Sequence, residues 1–128
     1  MYRVFVSLIF IIALSESANA SPTLQDGNAL LSGCSGYLRI LDGQGDAADA
    51  FSAGGCVGYI IGASDFNTAH AAVSGGEQEG FFCVPSNVPL VQKVRVLVQY
   101  LKSNPSELHR PQYILTMDAF SEAFPCRQ

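Results

Sequence analysis

Basic side chains are scarce in this sequence, which carries 7 Lys and Arg residues against 11 Asp and Glu residues. The few basic residues are scattered and form no stripe. Nucleic-acid phosphates are bound by clustered Lys and Arg, so a chain with a net charge of -4 is expected to repel them. The composition therefore argues against nucleic-acid binding.

The sequence also lacks an apolar run long enough to cross a bilayer. Its most apolar segment, residues 4–14, has eleven residues, whereas a spanning helix needs about 20. Arg3 precedes this segment and the small-residue ending "ANA" follows it, which is the pattern of a secretory signal peptide. We therefore predict a signal peptide over residues 1–20, cleaved after Ala20, and a single domain over residues 21–128.

Closely spaced metal ligands are missing as well. No two of the four cysteines are closer than 22 positions, and neither His70 nor His109 belongs to a short ligand pair, which argues against a zinc site. We predict no metal and no cofactor. An even number of cysteines in an exported chain instead predicts disulfides. Three pairings are possible, and spacing does not choose among them: the cysteines are Cys34, Cys56, Cys83 and Cys126.

Catalytic signatures are not found either. No serine has the Gly-x-Ser-x-Gly frame of a nucleophile, since Ser74 stands in "AAVSGGE". A hydrolase using His70 or His109 is the weakest hypothesis, because each is better interpreted as a structural histidine. Glu77 and Glu79 are two positions apart in a Gly-rich segment, where a fixed catalytic pair is not expected. We therefore predict that the protein is not an enzyme.

What the sequence does contain is a series of helical patterns. Apolar residues recur at helical spacing over residues 24–41, with Asp26 as a candidate N-cap. An alanine- and glycine-rich segment predicts a second helix, residues 90–101 a third, and the segment between Pro111 and Pro125 a fourth. Short connections between them predict an all-α fold, a small bundle of four (or four to five) helices cross-linked by two disulfides.

Three glycines share one face of the predicted second helix. Gly54, Gly58 and Gly62 are spaced by four, and each costs about 1 kcal/mol relative to alanine. Such a ridge lets another backbone approach closely. We predict that it packs inside the core of the domain rather than pairing helices in a membrane.

The segment "VSGGEQEGFF" interrupts the helical pattern with three glycines and two acidic residues. This composition predicts an exposed loop. Because the chain shows no enzyme signature, we predict a binding protein, and this loop is its most exposed distinctive feature. The predicted partner-contacting residues are Ser74, Gly75, Gly76, Glu77, Gln78 and Glu79.

The entrance of the third helix raises two questions. A helix N-terminus can lower the pKa of a thiol and make it reactive, but export and the even cysteine count favour a disulfide for Cys83. Pro89 stands where a Ser or Thr cap is expected. The cap therefore comes from Ser86 or Asn87, or is absent.

Three segments occur in an order that resembles the Rap/Tai family of immunity proteins, which bacteria carry against peptidoglycan-cleaving effectors delivered by type VI secretion. The segments are "CVGYIIG" (56–62), "FCVPSNVPLVQKVRVLVQYLKSNP" (82–105) and "AFSEAFPC" (119–126). Together with Cys34 they extend across nearly all of the predicted domain.

This resemblance implies a periplasmic, all-helical protein, often a homodimer, that binds a cognate amidase effector and blocks its active site with a protruding segment. It also implies the disulfides Cys34–Cys56 and Cys83–Cys126. An alternative from another class is a periplasmic stress or chaperone-like helical protein, which the small size, acidic balance and cross-linked helices also suggest.

Overall fold

The computed structural model describes residues 25–127, and the predicted signal peptide lies outside them. Among these residues, no helix is both long and apolar enough to cross a membrane. The described range is all-α, as predicted, and short 3-10 turns precede the third and fourth helices. The helices are α1 (Gly27–Leu41), α2 (Ala47–Ser74), α3 (Leu90–Ser103) and α4 (Gln112–Ala123), and the 3-10 turns are Glu77–Glu79 and Pro105–Glu107.

Polar side chains fix the starts of the first two helices. Asp26 caps α1 as predicted, with its Oδ1 accepting the Ala29 N–H at 3.0 Å. α2 begins with a capping box in which the Asp49 N–H donates to Asp46 Oδ1 at 2.8 Å and the Asp46 N–H donates to Asp49 Oδ2 at 3.4 Å. α3 starts after Pro89 without a side-chain cap. Of the predicted alternatives, a cap from Ser86 or Asn87 or none, the structure shows none.

α1 packs closely against the N-terminal half of α2 because it presents glycines to it. A methyl group on Gly33 would lie 2.9 Å from the Ser52 carbonyl oxygen, and one on Gly36 would lie 3.4 Å from the Ser52 hydroxyl. The disulfide Cys34–Cys56 joins the two helices. Its cysteines are 0% and 4% exposed, so the cross-link is part of the core.

The core continues from this helix pair into α3 and α4. Phe120 is its largest fully buried side chain, and the ring of Phe82 meets it edge to face with centroids 5.1 Å apart. Burying each large apolar side chain stabilises a fold by about 1.5–3 kcal/mol. The buried cluster comprises Leu30, Cys34, Cys56, Ile60, Phe82, Val94, Leu97, Val98, Leu101, Leu115, Ala119 and Phe120.

The predicted role of the glycine ridge on α2 is wrong. Gly54, Gly58 and Gly62 do share a face, but all three are exposed, and no described atom of a neighbouring segment lies within 4 Å of a Cβ added to any of them. Spacing by four identifies a common face without saying which face the neighbours cover. The core contacts of α2 lie on its opposite side, at Cys56 and Ile60.

Both disulfides that the resemblance implied are present. The second, Cys83–Cys126, attaches the segment before α3 to the segment after α4. The start of α1 is attached to the start of α4 through the backbone, because the Gly27 N–H donates to the Arg110 carbonyl at 3.1 Å. The four helices are thereby joined into one unit.

Candidate functional site

The acidic loop (residues 74–80) lies at the C-terminal end of α2. This helix has 28 residues and is therefore about 42 Å long. Gly75 and Gly76 have φ values of +124° and +138°, which glycine adopts readily, and they turn the chain back along the helix. The Gly76 N–H donates to the Ala71 carbonyl at 2.9 Å. The loop is thus a defined turn at the end of α2.

The predicted contact residues occupy this turn together. Ser74 is the last residue of α2 and is exposed, whereas Gly76 is half-buried. Glu77, Gln78 and Glu79 form the 3-10 turn and are all exposed. The structure brings the six residues into one surface, and their contact with a partner stays a prediction.

Asn67, a buried amide on α2, holds the returning chain. Its Oδ1 accepts the Phe81 N–H at 2.7 Å and the Phe82 N–H at 3.3 Å, while its Nδ2 donates to the Phe82 carbonyl at 2.8 Å. A Cβ on Gly80 would lie 3.1 Å from both polar atoms of this amide. The side chain therefore satisfies three backbone groups and fixes the exit of the acidic loop.

The C-terminal segment provides a second attachment. Cys83 is bonded to Cys126, and the Cys83 N–H donates to the Phe124 carbonyl at 2.8 Å. The Arg127 N–H donates to Gln78 Oε1 at 2.9 Å. Cys83 is therefore a structural disulfide and not a reactive thiol, as predicted, and it lies close to the acidic loop.

An open cleft of about 890 Å³ lies beside these attachments. The C-terminal half of α2 forms one wall, the 3-10 turn of the acidic loop a second, and the two disulfide-linked segments the others. Both polar and apolar groups line it, and they include Thr68, Ala72, Gln78, Val84 and Phe124. The acidic loop thus forms one edge of a recess.

Three aromatic side chains lie against the loop's exit, and we call Phe66, His70 and Phe81 the aromatic ledge. The Phe81 ring is stacked on His70 at a centroid distance of 4.3 Å and is nearly parallel to Phe66 at 6.3 Å. His70, considered above as a base, is therefore packed against a phenyl ring. His109 lies elsewhere, with Nδ1 3.0 Å from the Ser106 carbonyl oxygen, in keeping with the structural role predicted for it.

Sequence reasoning missed Asn67 and the aromatic ledge. One signal was available for Asn67, since it falls seven residues after Ile60 and four before Ala71, on the buried stripe of α2. A polar residue on such a stripe must satisfy its hydrogen bonds inside the fold. Which backbone it would meet depended on the path of the loop, which no periodicity predicts.

The ion pairs in the described range lie away from the acidic loop. Arg39 is hydrogen-bonded to Asp49, with Nε 3.0 Å from Oδ2, and this bond lowers the pKa of the Asp49 carboxyl. Arg110 pairs with Glu107 and Asp118, each at 3.1 Å. The glutamates of the loop are in none of these pairs, so their charges face solvent.

A family model described as Rap1a immunity proteins matches residues 26–126. The matched range contains the four helices, both disulfides, the acidic loop and the aromatic ledge. Searches of the curated proteins and of the solved structures found no match.

Proposed function

The chain belongs to the family of Rap1a immunity proteins, and on this basis we propose that it is a periplasmic protein that binds and inhibits a peptidoglycan amidase effector of a type VI secretion system. The observation that carries the proposal is the match over residues 26–126, since membership of this family points to an immunity protein against a secreted effector. Inhibition by binding requires no catalysis by this chain.

Two features support the periplasm as the compartment. The predicted signal peptide of residues 1–20 would export the domain of residues 21–128. The two disulfides suit an oxidising environment, because thiols are kept reduced in the cytosol.

The acidic loop is the surface proposed to meet the effector. It lies exposed at the end of α2, its glutamates are unpaired within residues 25–127, and Asn67 and the Cys83–Cys126 disulfide hold the chain that directly follows it. A loop that is already ordered loses little conformational entropy on binding. These properties support insertion of Glu77 and Glu79 into the substrate cleft of an amidase.

Binding and protection assays with the secreted amidase encoded by the adjacent gene test the function. Wild-type protein is expected to bind the amidase, abolish its peptidoglycan cleavage and protect cells that receive it in the periplasm. Absence of binding and of protection would overturn the proposal. Suppression of aggregation of unrelated proteins at low pH, without amidase binding, would favour the chaperone-like alternative.

Charge-removing variants test the contact surface. Glu77→Gln combined with Glu79→Gln is expected to weaken amidase binding about tenfold or more, because buried charged contacts are among the costliest to remove. Asp42→Asn is the control, since Asp42 is exposed at the opposite end of α2, after α1. Equal affinity of the double variant and the control would exclude the loop glutamates as contacts.

We also propose a homodimer formed through the outer face of α2. A Cβ added to any glycine of this face would meet no described atom of a neighbouring segment within 4 Å, and the same face carries Phe51 and Ile61, which are 89% and 47% exposed. These glycines weaken α2, and no neighbouring segment of the described chain packs against them. Their lack of side chains would let a second helix approach closely. The same face on two copies would form a two-fold interface. The Phe51 side chain of each copy would bury about 150–250 Å² of surface there.

Sedimentation equilibrium tests the dimer. Gly58→Gln adds a side chain in the middle of the face and is expected to shift the protein to monomer, whereas Ala29→Gln on exposed α1 surface is not. Because glutamine is a better helix former than glycine, loss of the dimer would not reflect loss of α2. A wild-type protein that stays monomeric at high micromolar concentration would exclude the dimer.

A further inference from the structure

The exposed side of α2 carries very little charge. Lys, Arg, Asp or Glu occur at only two of the 28 positions of this helix, Asp49 and Asp65, and the first of these is bonded to Arg39. Two large rings of this side, Phe51 and Phe66, are 89% and 65% exposed. A surface helix usually presents charged and polar residues to water, so an apolar side of this length indicates an interaction surface.

Five residues along this side form a palindrome, and we call them the α2 stripe. Phe51, Gly55, Gly58, Gly62 and Phe66 follow one another at steps of four, three, four and four residues, which keeps them on one side of a helix. All five are exposed. The order Phe-Gly-Gly-Gly-Phe is the same in both directions, and the central glycine is seven and eight residues from the two phenylalanines.

A palindromic stripe is self-complementary in an antiparallel pair of helices. If a two-fold axis passes through Gly58, each residue lies near the residue of the second copy that is equally far beyond the axis. Phe51 of one copy then lies near Phe66 of the other, and Gly55 near Gly62. Crossing helices are closest at the crossing point and diverge away from it. Glycines therefore fit the centre of the pair, and rings fill the wider gaps at its ends.

The aromatic ledge enlarges the apolar surface around Phe66. The Phe81 ring lies nearly parallel to Phe66 at a centroid distance of 6.3 Å and stacks on His70 at 4.3 Å. The backbone of Phe81 is held by its N–H bond to Asn67, whose side chain is buried. A phenyl ring from a second copy would meet aromatic groups that are already in position, which lowers the entropic cost of the contact.

The exposed Asp65 favours the antiparallel direction over the parallel one. In a parallel two-fold pair the two Asp65 carboxylates would face each other, and facing like charges oppose association. In an antiparallel pair centred on Gly58 they would be roughly 20 Å apart along the helices, beyond the screening length of about 8 Å at physiological ionic strength. The acidic loops of the two copies would be roughly 50 Å apart and would stay exposed.

We propose that α2 pairs antiparallel with α2 of a second copy, with Phe51 of each copy packed against Phe66 and Phe81 of the other. Phe51 and Phe66 of both copies would supply up to about half of the roughly 1,200–2,000 Å² that a standard interface buries. The uncharged residues between and beyond them supply the rest. This inference deepens the proposed homodimer by naming its direction and its contacts, and it rests on that dimer.

Photo-cross-linking tests which residues meet. The photoreactive analogue p-benzoyl-phenylalanine in place of Phe51 is expected, on irradiation, to link to peptides that contain Phe66 or Phe81, which mass spectrometry identifies. Phe51 and Phe66 are 15 residues apart on one helix, about 22 Å, so a link from position 51 to position 66 must join two copies. Links from position 51 to the same position of the second copy, or to α4, would overturn the proposal.

A charge exchange tests the same pairing by sedimentation equilibrium. Phe51→Glu and Phe66→Lys are each expected to raise the dimer dissociation constant more than tenfold, because a charge then lies against an apolar ring. The variant with both changes places the new carboxylate of one copy near the new ammonium of the other, and it is expected to dimerise about tenfold more tightly than either single variant. Tyr113→Glu, at a 52% exposed residue of α4, is the control and is expected to dimerise like wild type.

The outcomes separate the homodimer from the pairing proposed within it. If wild type stays monomeric, both are wrong. If wild type dimerises but the two single changes leave the dissociation constant unchanged, or the combined variant is no tighter than they are, the homodimer stands and the antiparallel pairing is wrong. Thermal melts of the variants check that each is folded, which is expected because the changed residues are exposed.

Discussion

The two disulfides of this protein lie in contrasting surroundings. Cys34 and Cys56 join α1 to the N-terminal half of α2 and are 0% and 4% exposed. Cys83 and Cys126 are half-buried and join two irregular segments beside the acidic loop, and Cys83 lines an open cleft. One cross-link lies inside a helix interface, whereas the other ties down a surface.

This difference extends along α2 as a whole. Its N-terminal half is covered by α1, and the glycines of α1 bring the two helices close. Its C-terminal half carries the buried amide of Asn67, which holds the returning chain. The aromatic ledge and the acidic loop lie exposed beside it. The close packing against α1 thus lies in one half of α2 and the surface proposed to meet the effector lies in the other, and this division can be tested.

The largest effect is expected from removing the buried disulfide. Replacing Cys34 and Cys56 by alanine should lower the free energy of unfolding by about 4–5 kcal/mol, of which about 3–4 comes from chain entropy and about 1 from the cavity left behind. Alanines at Cys83 and Cys126 should cost about 3–4 kcal/mol. Urea unfolding measures the free energy of unfolding of both variants. A larger loss for the variant without Cys83–Cys126 would show that the length of the closed loop matters more than burial of the disulfide.

Reduction should separate the two cross-links without mutation. A dithiol such as dithiothreitol reaches Cys83–Cys126 through the cleft, and it is expected to reduce this bond roughly tenfold faster than Cys34–Cys56 because access limits exchange. Timed alkylation with mass spectrometry follows the reduction of each cysteine pair. Hydrogen exchange of the acidic loop should rise when Cys83–Cys126 is reduced. Simultaneous reduction of both bonds would mean that exchange requires global unfolding.

The amide of Asn67 should matter more than its exposure suggests. Asn67→Ala leaves three backbone groups at Phe81 and Phe82 without partners and is expected to cost about 2–3 kcal/mol. Thr68→Ala is the control, because the hydroxyl of this exposed neighbour donates to the carbonyl of Ser64 on its own helix, at 3.0 Å. Urea unfolding gives both values, and equal losses would show that the loop's exit is held by other contacts.

Glycine-to-alanine changes should have opposite signs on the two helices. Gly33→Ala places a methyl 2.9 Å from the Ser52 carbonyl oxygen and is expected to destabilise the protein by about 1–3 kcal/mol. The methyl group of Gly58→Ala would meet no described atom of a neighbouring segment within 4 Å, so this change should stabilise the monomer by about 0.5–1 kcal/mol. Denaturant unfolding at low protein concentration measures both, and destabilisation by Gly58→Ala would contradict its exposed placement.

The glycines also show what the sequence could and could not predict. Helical periodicity, caps and prolines were enough to locate four helices, and the ordered motifs of the resemblance supplied the disulfide pairing. Spacing also placed Gly54, Gly58 and Gly62 correctly on one face. Which side of α2 is covered depends on its packing partner, α1. This helix brings its own glycines to the side of α2 opposite the ridge. The ridge was therefore assigned to the wrong environment.

The candidate site was predictable only in part, for a similar reason. Glycines and charges mark the acidic loop as exposed in the sequence alone. Nothing in the spacing of Phe66, His70 and Phe81 predicts that their rings meet, because Phe81 reaches α2 only after the chain has reversed. A surface made by a returning loop has no sequence period, so it exists as a pattern only in the folded chain.

The smallest predicted effect concerns acid stability, and it too distinguishes the two halves of α2. The hydrogen bond from Arg39 lowers the pKa of Asp49 below its ordinary value of 3.8, so this pair stabilises the covered half above that pH. The contribution is lost as the pH falls through the lower, folded-state pKa, because the protonated carboxyl no longer attracts the guanidinium. Asp49→Asn should therefore melt at a lower temperature than wild type near neutral pH and approach it below pH 3.8. Thermal melts across this range measure the convergence, with the exposed Asp42→Asn as control; a constant difference between Asp49→Asn and wild type at every pH would show that the ion pair does not contribute.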